Sequence, residues 1–119
     1  MENETIEIVK ELPPAKVMLV ALDLGKWDCE RSLAELSALA EANHMETAAT
    51  LVQKKQAPEA GTVLGEGKLA EGRLVCANLG IDAAIFDGEL TGSQIRNLTD
   101  RLGVEVLDRT MLILEIFQS

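Results

Sequence analysis

Lys16-Val-Met-Leu-Val-Ala-Leu-Asp23 decides the fold. It is a short, continuous apolar run with no helical spacing, stopped by Pro13-Pro14 before it and Gly25 after it. Proline fixes φ and offers no N–H, so the pair punctuates the chain ahead of the first regular element. A run of this length with both alternating sets of positions apolar predicts a strand covered on both faces, as in a parallel sheet. Upstream, residues 1–15 read as an acidic lead-in, and residues 16–119 as one compact domain.

Downstream the period changes. Leu33, Leu36, Leu39 and Ala40 recur at helical spacing from Glu30, with Asp28 placed to cap the start. Residues 47–53 read as a second strand, 54–61 as a polar loop and Thr62-Val63-Leu64 as a short extended piece. A helix is expected from Lys68 to Asn78, with Leu69, Cys76 and Leu79 toward the core and Gly80 as its stop. Ala83–Asp87 is the third strand. Thr91 and Gln94 have the spacing of a capping box, opening a helix with Ile95, Leu98 and Leu102 inward and Gly103 at its end. Val104–Asp108 is the fourth strand, and Thr110–Phe117 a final apolar helix. Strands separated by helices need crossovers. The pattern therefore predicts an α/β domain: a four-stranded, mainly parallel sheet with helices on both faces, in the order 2-1-3-4.

The chain has 119 residues, with 11 Lys+Arg against 20 Asp+Glu and a formal charge of −9. Hydrophobic residues at 47% and charged ones at 26% are ordinary globular values. Aromatic residues are few (Trp27, Phe86 and Phe117, with no Tyr), so the core falls to Leu, Ile, Val and Ala. No apolar run reaches the length of a membrane span, and the acidic start is unlike a signal peptide. Cys29 and Cys76 lack metal-site spacing and suit a reducing cytoplasm. An acidic surface repels phosphate, which argues against a generic nucleic-acid clamp.

Gly65-Glu66-Gly67-Lys68 could offer backbone N–H groups and a cation to a phosphate. It is not a P-loop: Thr62 stands where the first glycine belongs, and Leu69 replaces the magnesium-binding hydroxyl. Asp23, Asp87 and Asp108 fall at the carboxyl ends of strands, where open α/β sheets bind ligands. They could hold a divalent cation or do acid–base work, or simply cap the helices that follow. His44, at a helix end, and the serines, outside any nucleophile-elbow pattern, carry no catalytic reading. The last helix is apolar almost all round. One stripe of it can face the sheet, which leaves the others to a second copy of the chain or to further polypeptide.

Val17–Gly25 (VMLVALDLG), Glu30–Leu36 (ERSLAEL), Thr62–Lys68 (TVLGEGK), Ile85–Leu90 (IFDGEL), Ser93–Leu98 (SQIRNL) and Val106–Phe117 (VLDRTMLILEIF) together resemble the N-terminal domain of the HflX-type GTPases. The likeness runs from about Lys16 to the end, and Gly65, Gly67, Lys68, Asp87, Glu89, Gln94, Asn97, Asp108 and Arg109 carry its motifs. Gly92 departs from it, standing where members often have proline. The resemblance implies a translation-factor-class GTPase of the cytoplasm that binds the large ribosomal subunit and its rRNA and splits or rescues ribosomes under stress. It also implies that this α/β domain is followed by a coiled-coil arm and a G domain that holds GTP and Mg. On that reading the present chain has no catalytic, cofactor or metal residue and is not itself an enzyme. Lys54, Lys55, Lys68, Arg96 and Arg109 are its expected RNA contacts. The alternatives are a stand-alone nucleotide- or metal-binding domain working at the acidic edge, and self-association through the final helix.

Overall fold

The computed structural model describes residues 13–118, with side chains described as far as Leu114. Residues 1–12 of the expected lead-in lie outside that range. β1 (Ala15–Asp23) is followed by α1 (Cys29–Ala42), β2 (Met45–Lys54), α2 (Glu66–Leu79), β3 (Ala83–Phe86), α3 (Gly92–Leu102), β4 (Glu105–Asp108) and α4 (Arg109–Gln118). The sheet has the order β2-β1-β3-β4, as the pattern predicts, and its three ladders are parallel.

β1 is central and carries both cores. Met18 and Val20 pack with Leu51, Leu64, Leu69, Cys76, Phe86, Leu98 and Leu102 on the α2/α3 face. Val17 and Leu19 pack with Leu36, Ala40, Ile85 and Leu112 on the α1/α4 face. Two covered faces explain why this run shows no polar alternation. α2 approaches the sheet closely at buried Gly72, where a Cβ would lie 2.9 Å from methyls of both Leu51 and Leu102.

β2 contains an irregularity. Val17 pairs with Thr47 but Met18 with Ala49, so Ala48 is an extra residue. A bulge reverses the side-chain alternation. Before it, the Thr47 hydroxyl meets Ser37 of α1 at 2.9 Å; after it, Gln53 reaches α2, accepting from the Gly65 N–H at 2.8 Å.

Three expectations are corrected. α2 starts at Glu66 rather than Lys68, because Gln53 holds the Gly65 N–H at its N-cap. Leu79 is 44% exposed, since it ends the helix beside Gly80 where the sheet no longer covers it. Thr62–Leu64 is a turn and not extended: Glu59 and Val63 exchange backbone bonds at 2.9 and 3.0 Å, and Val63 is held at φ 67. Asp28 does cap α1, accepting from the Arg31 N–H, and the Thr91/Gln94 capping box is complete.

Candidate functional site

The chain reverses its direction of winding between β1 and β3, whose carboxyl ends flank a crevice of about 310 Å³. Leu22, Leu24, Trp27, Val63, Phe86 and Leu90 give it an apolar lining, and Asp87, Glu89 and Gln94 are its polar lining residues. Ligands of open α/β sheets sit at such a switch point. A second open cavity, about 390 Å³, lies beyond β1 and β2 and is lined by Asp23, Leu24, Gly25, Lys54, Lys55 and Gln56.

The three edge carboxylates do not converge. Asp23 accepts from the Gly25 N–H at 2.9 Å and shapes its own turn. Asp108, 3% exposed, accepts from Leu90 N–H at 2.9 Å through Oδ2 and from Met111 N–H at 2.8 Å through Oδ1. It thereby caps α4 and pins the β3–α3 loop in one stroke. Asp87 accepts from Arg109 Nη1 at 2.9 Å. Among the described residues no group of three or more His, Cys, Asp or Glu side chains is placed to hold a metal ion. Of the three, Asp108 alone caps the helix that follows; Asp23 serves its own turn and Asp87 is paired with a guanidinium.

The expected cations are dispersed. Lys54 and Lys55 share the second cavity, and Lys55 pairs with Glu59 at 2.6 Å. Lys55 Nζ also lies beside Gly65, at the start of α2, where Lys68 pairs with Glu71 at 3.4 Å. Gly67 faces open space. Arg96 is exposed on α3, whose Asn97 donates to the Gly61 carbonyl at 3.1 Å and ties down the preceding turn. Arg109 lies apart, among Asp87, Ser32 and Glu35. Glu89 is exposed and Gln94 is spent in its capping box. Residues that sequence reasoning missed are Gln53 and Gly72, outside the quoted segments, and Ser32 and Glu35, whose segment Glu30–Leu36 gives no local sign of their tie to Arg109.

Both thiols are held up in pKa. Burial raises Cys76; burial first, then the charges of Asp23, Asp87 and Asp28, raise Cys29. Neither is an activated nucleophile. On the surface, a hydrogen bond from Arg101 pulls the Glu66 carboxyl below its ordinary value.

The order β2-β1-β3-β4, with three parallel ladders and a core on each face, defines a parallel α/β domain. Comparison with known proteins gives its family. A family described as the N-terminal domain of GTP-binding GTPases matches residues 30–118. Curated relatives named GTPase HflX include one from Caldanaerobacter subterraneus subsp. tengcongensis, 42% identical over 102 residues and covering 86% of this chain but 24% of the relative. Another, from Alkalihalophilus pseudofirmus, is 37% identical over 113 residues, covering 93% of this chain and 27% of the relative. The chain belongs to the family of HflX N-terminal domains. It spans about a quarter of the length of those relatives. A solved GTP-binding protein from Sulfolobus solfataricus in complex with GDP shares the fold at TM-score 0.60 and 22% identity, over 86% of this chain and 30% of that one.

The relatives' names attach GTP to the whole protein, and the sequence of this chain contains no G-x-x-x-x-G-K-S/T segment. Among the described residues no helix is long and apolar enough to cross a membrane.

Proposed function

We propose that this chain is the docking and regulatory domain of a cytoplasmic GTP-binding protein that works at the large ribosomal subunit, splitting or rescuing ribosomes under stress. GTP and Mg belong, on this reading, to a separate G domain joined through a helical arm. The observation that carries it is the family match together with its extent: an HflX N-terminal domain that accounts for about a quarter of its relatives. Two exposed apolar side chains on α4, Met111 and Leu114, support an intramolecular partner such as the arm; self-association is the competing occupant.

The acidic total charge confines RNA contact to a local basic face. Lys54 and Lys55, which share the cavity beyond β1 and β2, and Lys68 in the first turn of α2 are the residues assigned to it, with Arg96 on α3 as an outlying contact. Arg109 could join them only by giving up Asp87. Each phosphate contact contributes close to one unit to the slope of log affinity against log salt. Cosedimentation with large subunits across a salt series tests the reading. Reversing Lys54, Lys55 and Lys68 to Glu is expected to weaken binding and flatten the slope. Binding with an unchanged slope would remove those residues from the interface, and no binding by the unmodified protein would remove the function.

A further inference from the structure

Arg109, the first residue of α4, is shared among three partners. Its Nη1 donates to Asp87 Oδ1 at 2.9 Å and to Ser32 Oγ at 3.0 Å, while Nη2 lies 3.4 Å from Glu35 Oε2. The Asp87 side chain is 3% exposed, and its Oδ2 is buried with no hydrogen-bond partner among the described residues. A guanidinium satisfies a carboxylate best through two parallel N–H bonds to both oxygens. Here the fork is divided between β3 and α1 instead, and a buried carboxylate oxygen goes without. The Glu35 contact is long and its side chain is 57% exposed, so water weakens it. The orphan oxygen offers a bond that water does not weaken. The same groups thus leave a second arrangement open to the guanidinium.

We propose that Arg109 is a two-position latch between α1 and α4. In the arrangement described, one guanidinium ties Ser32 and Glu35 of α1 to the root of α4. In the other it turns edge-on to Asp87, takes both oxygens and releases α1. The root of α4 is then held by Asp108, through the Met111 N–H, and by the backbone bond from Arg109 N–H to the Gly88 carbonyl. The latch decides whether α1 and α4 move together. It needs no ligand and does not depend on ribosome docking.

The test is NMR relaxation dispersion on the 119-residue chain at Ser32, Glu35, Gly88 and Met111. The expected result is millisecond exchange with a minor state of roughly 1–10%, whose fitted shifts at Gly88 and Met111 match the Ser32→Ala/Glu35→Ala double variant, which removes the α1 arm. That variant is expected to show flat profiles, as is Asp87→Asn, which removes the second carboxylate oxygen. Flat profiles in the native chain overturn the latch, as does a minor state unlike the double variant or exchange that persists in folded Asp87→Asn. Should Asp87→Asn fail to fold, the match to the double variant decides alone.

Discussion

Replacing Asp108 tests the whole carboxyl edge. Its carboxylate is 3% exposed and receives two backbone N–H bonds, from Leu90 at 2.9 Å and Met111 at 2.8 Å. Hydrogen bonds to a charged group contribute about 1.5–3 kcal/mol each. The lower end suits these part-buried donors, which water can reach once the carboxylate is gone. Asp108→Ala is therefore expected to cost about 3 kcal/mol. Asp108→Asn keeps one acceptor oxygen and turns an amide N–H₂ toward the other donor, so about half that loss is expected. Against a typical 5–15 kcal/mol of total stability, the alanine change removes between a fifth and more than half. Urea denaturation at constant m-value measures the loss. Hydrogen exchange at Leu90 and Met111 checks that it originates there. If Ala and Asn variants agree within about 0.5 kcal/mol, or both match the parent within that margin, the double-cap account of Asp108 is wrong.

Gly72→Val is expected to destabilise by about 1–3 kcal/mol through overpacking against Leu51 and Leu102, read by the same denaturation; an unchanged midpoint would show that α2 has room to move. Glu66 has a folded pKa below its unfolded one, so its pairing with Arg101 stabilises at and above the ordinary carboxylate range and is lost as pH falls through the lowered value. Melting curves of the parent and Glu66→Gln should accordingly converge on acidification and differ only slightly at neutral pH. The two thiols, raised in pKa and buried, should react with a disulfide reagent far more slowly in the folded chain than in urea; rapid native labelling would contradict their burial.

Much of the fold is legible because local chemistry and long-range packing agree. Lys16–Asp23 is apolar on both faces and becomes the central strand; Thr91 and Gln94 carry a complete cap within four residues of sequence. Where the deciding contact is distant, the sequence is silent. Arg109 meets partners 22, 74 and 77 positions away. Gln53 caps a helix from the neighbouring strand, which set the start of α2 two residues earlier than glycine and lysine spacing suggested. Val63, a β-branched residue that favours extended backbone, is bent into the left-handed region by its mutual bonds with Glu59 and by Asn97 anchoring Gly61. The acids at the strand ends were the hardest to read, since a carboxylate that caps and one that binds a ligand look alike until their N–H partners are placed.

The extra residue at Ala48 has a bearing on solubility. β2 is an outer strand whose middle, Thr47-Ala-Ala-Thr-Leu-Val52, has no charge and no proline, the composition that recruits foreign strands into fibrils. A kink in that ribbon spoils its outward row of amides and carbonyls as a straight template. Excising Ala48 would iron the ribbon flat, turn Thr47 and its neighbours away from the helix they now face, and leave the molecule prone to stacking on itself.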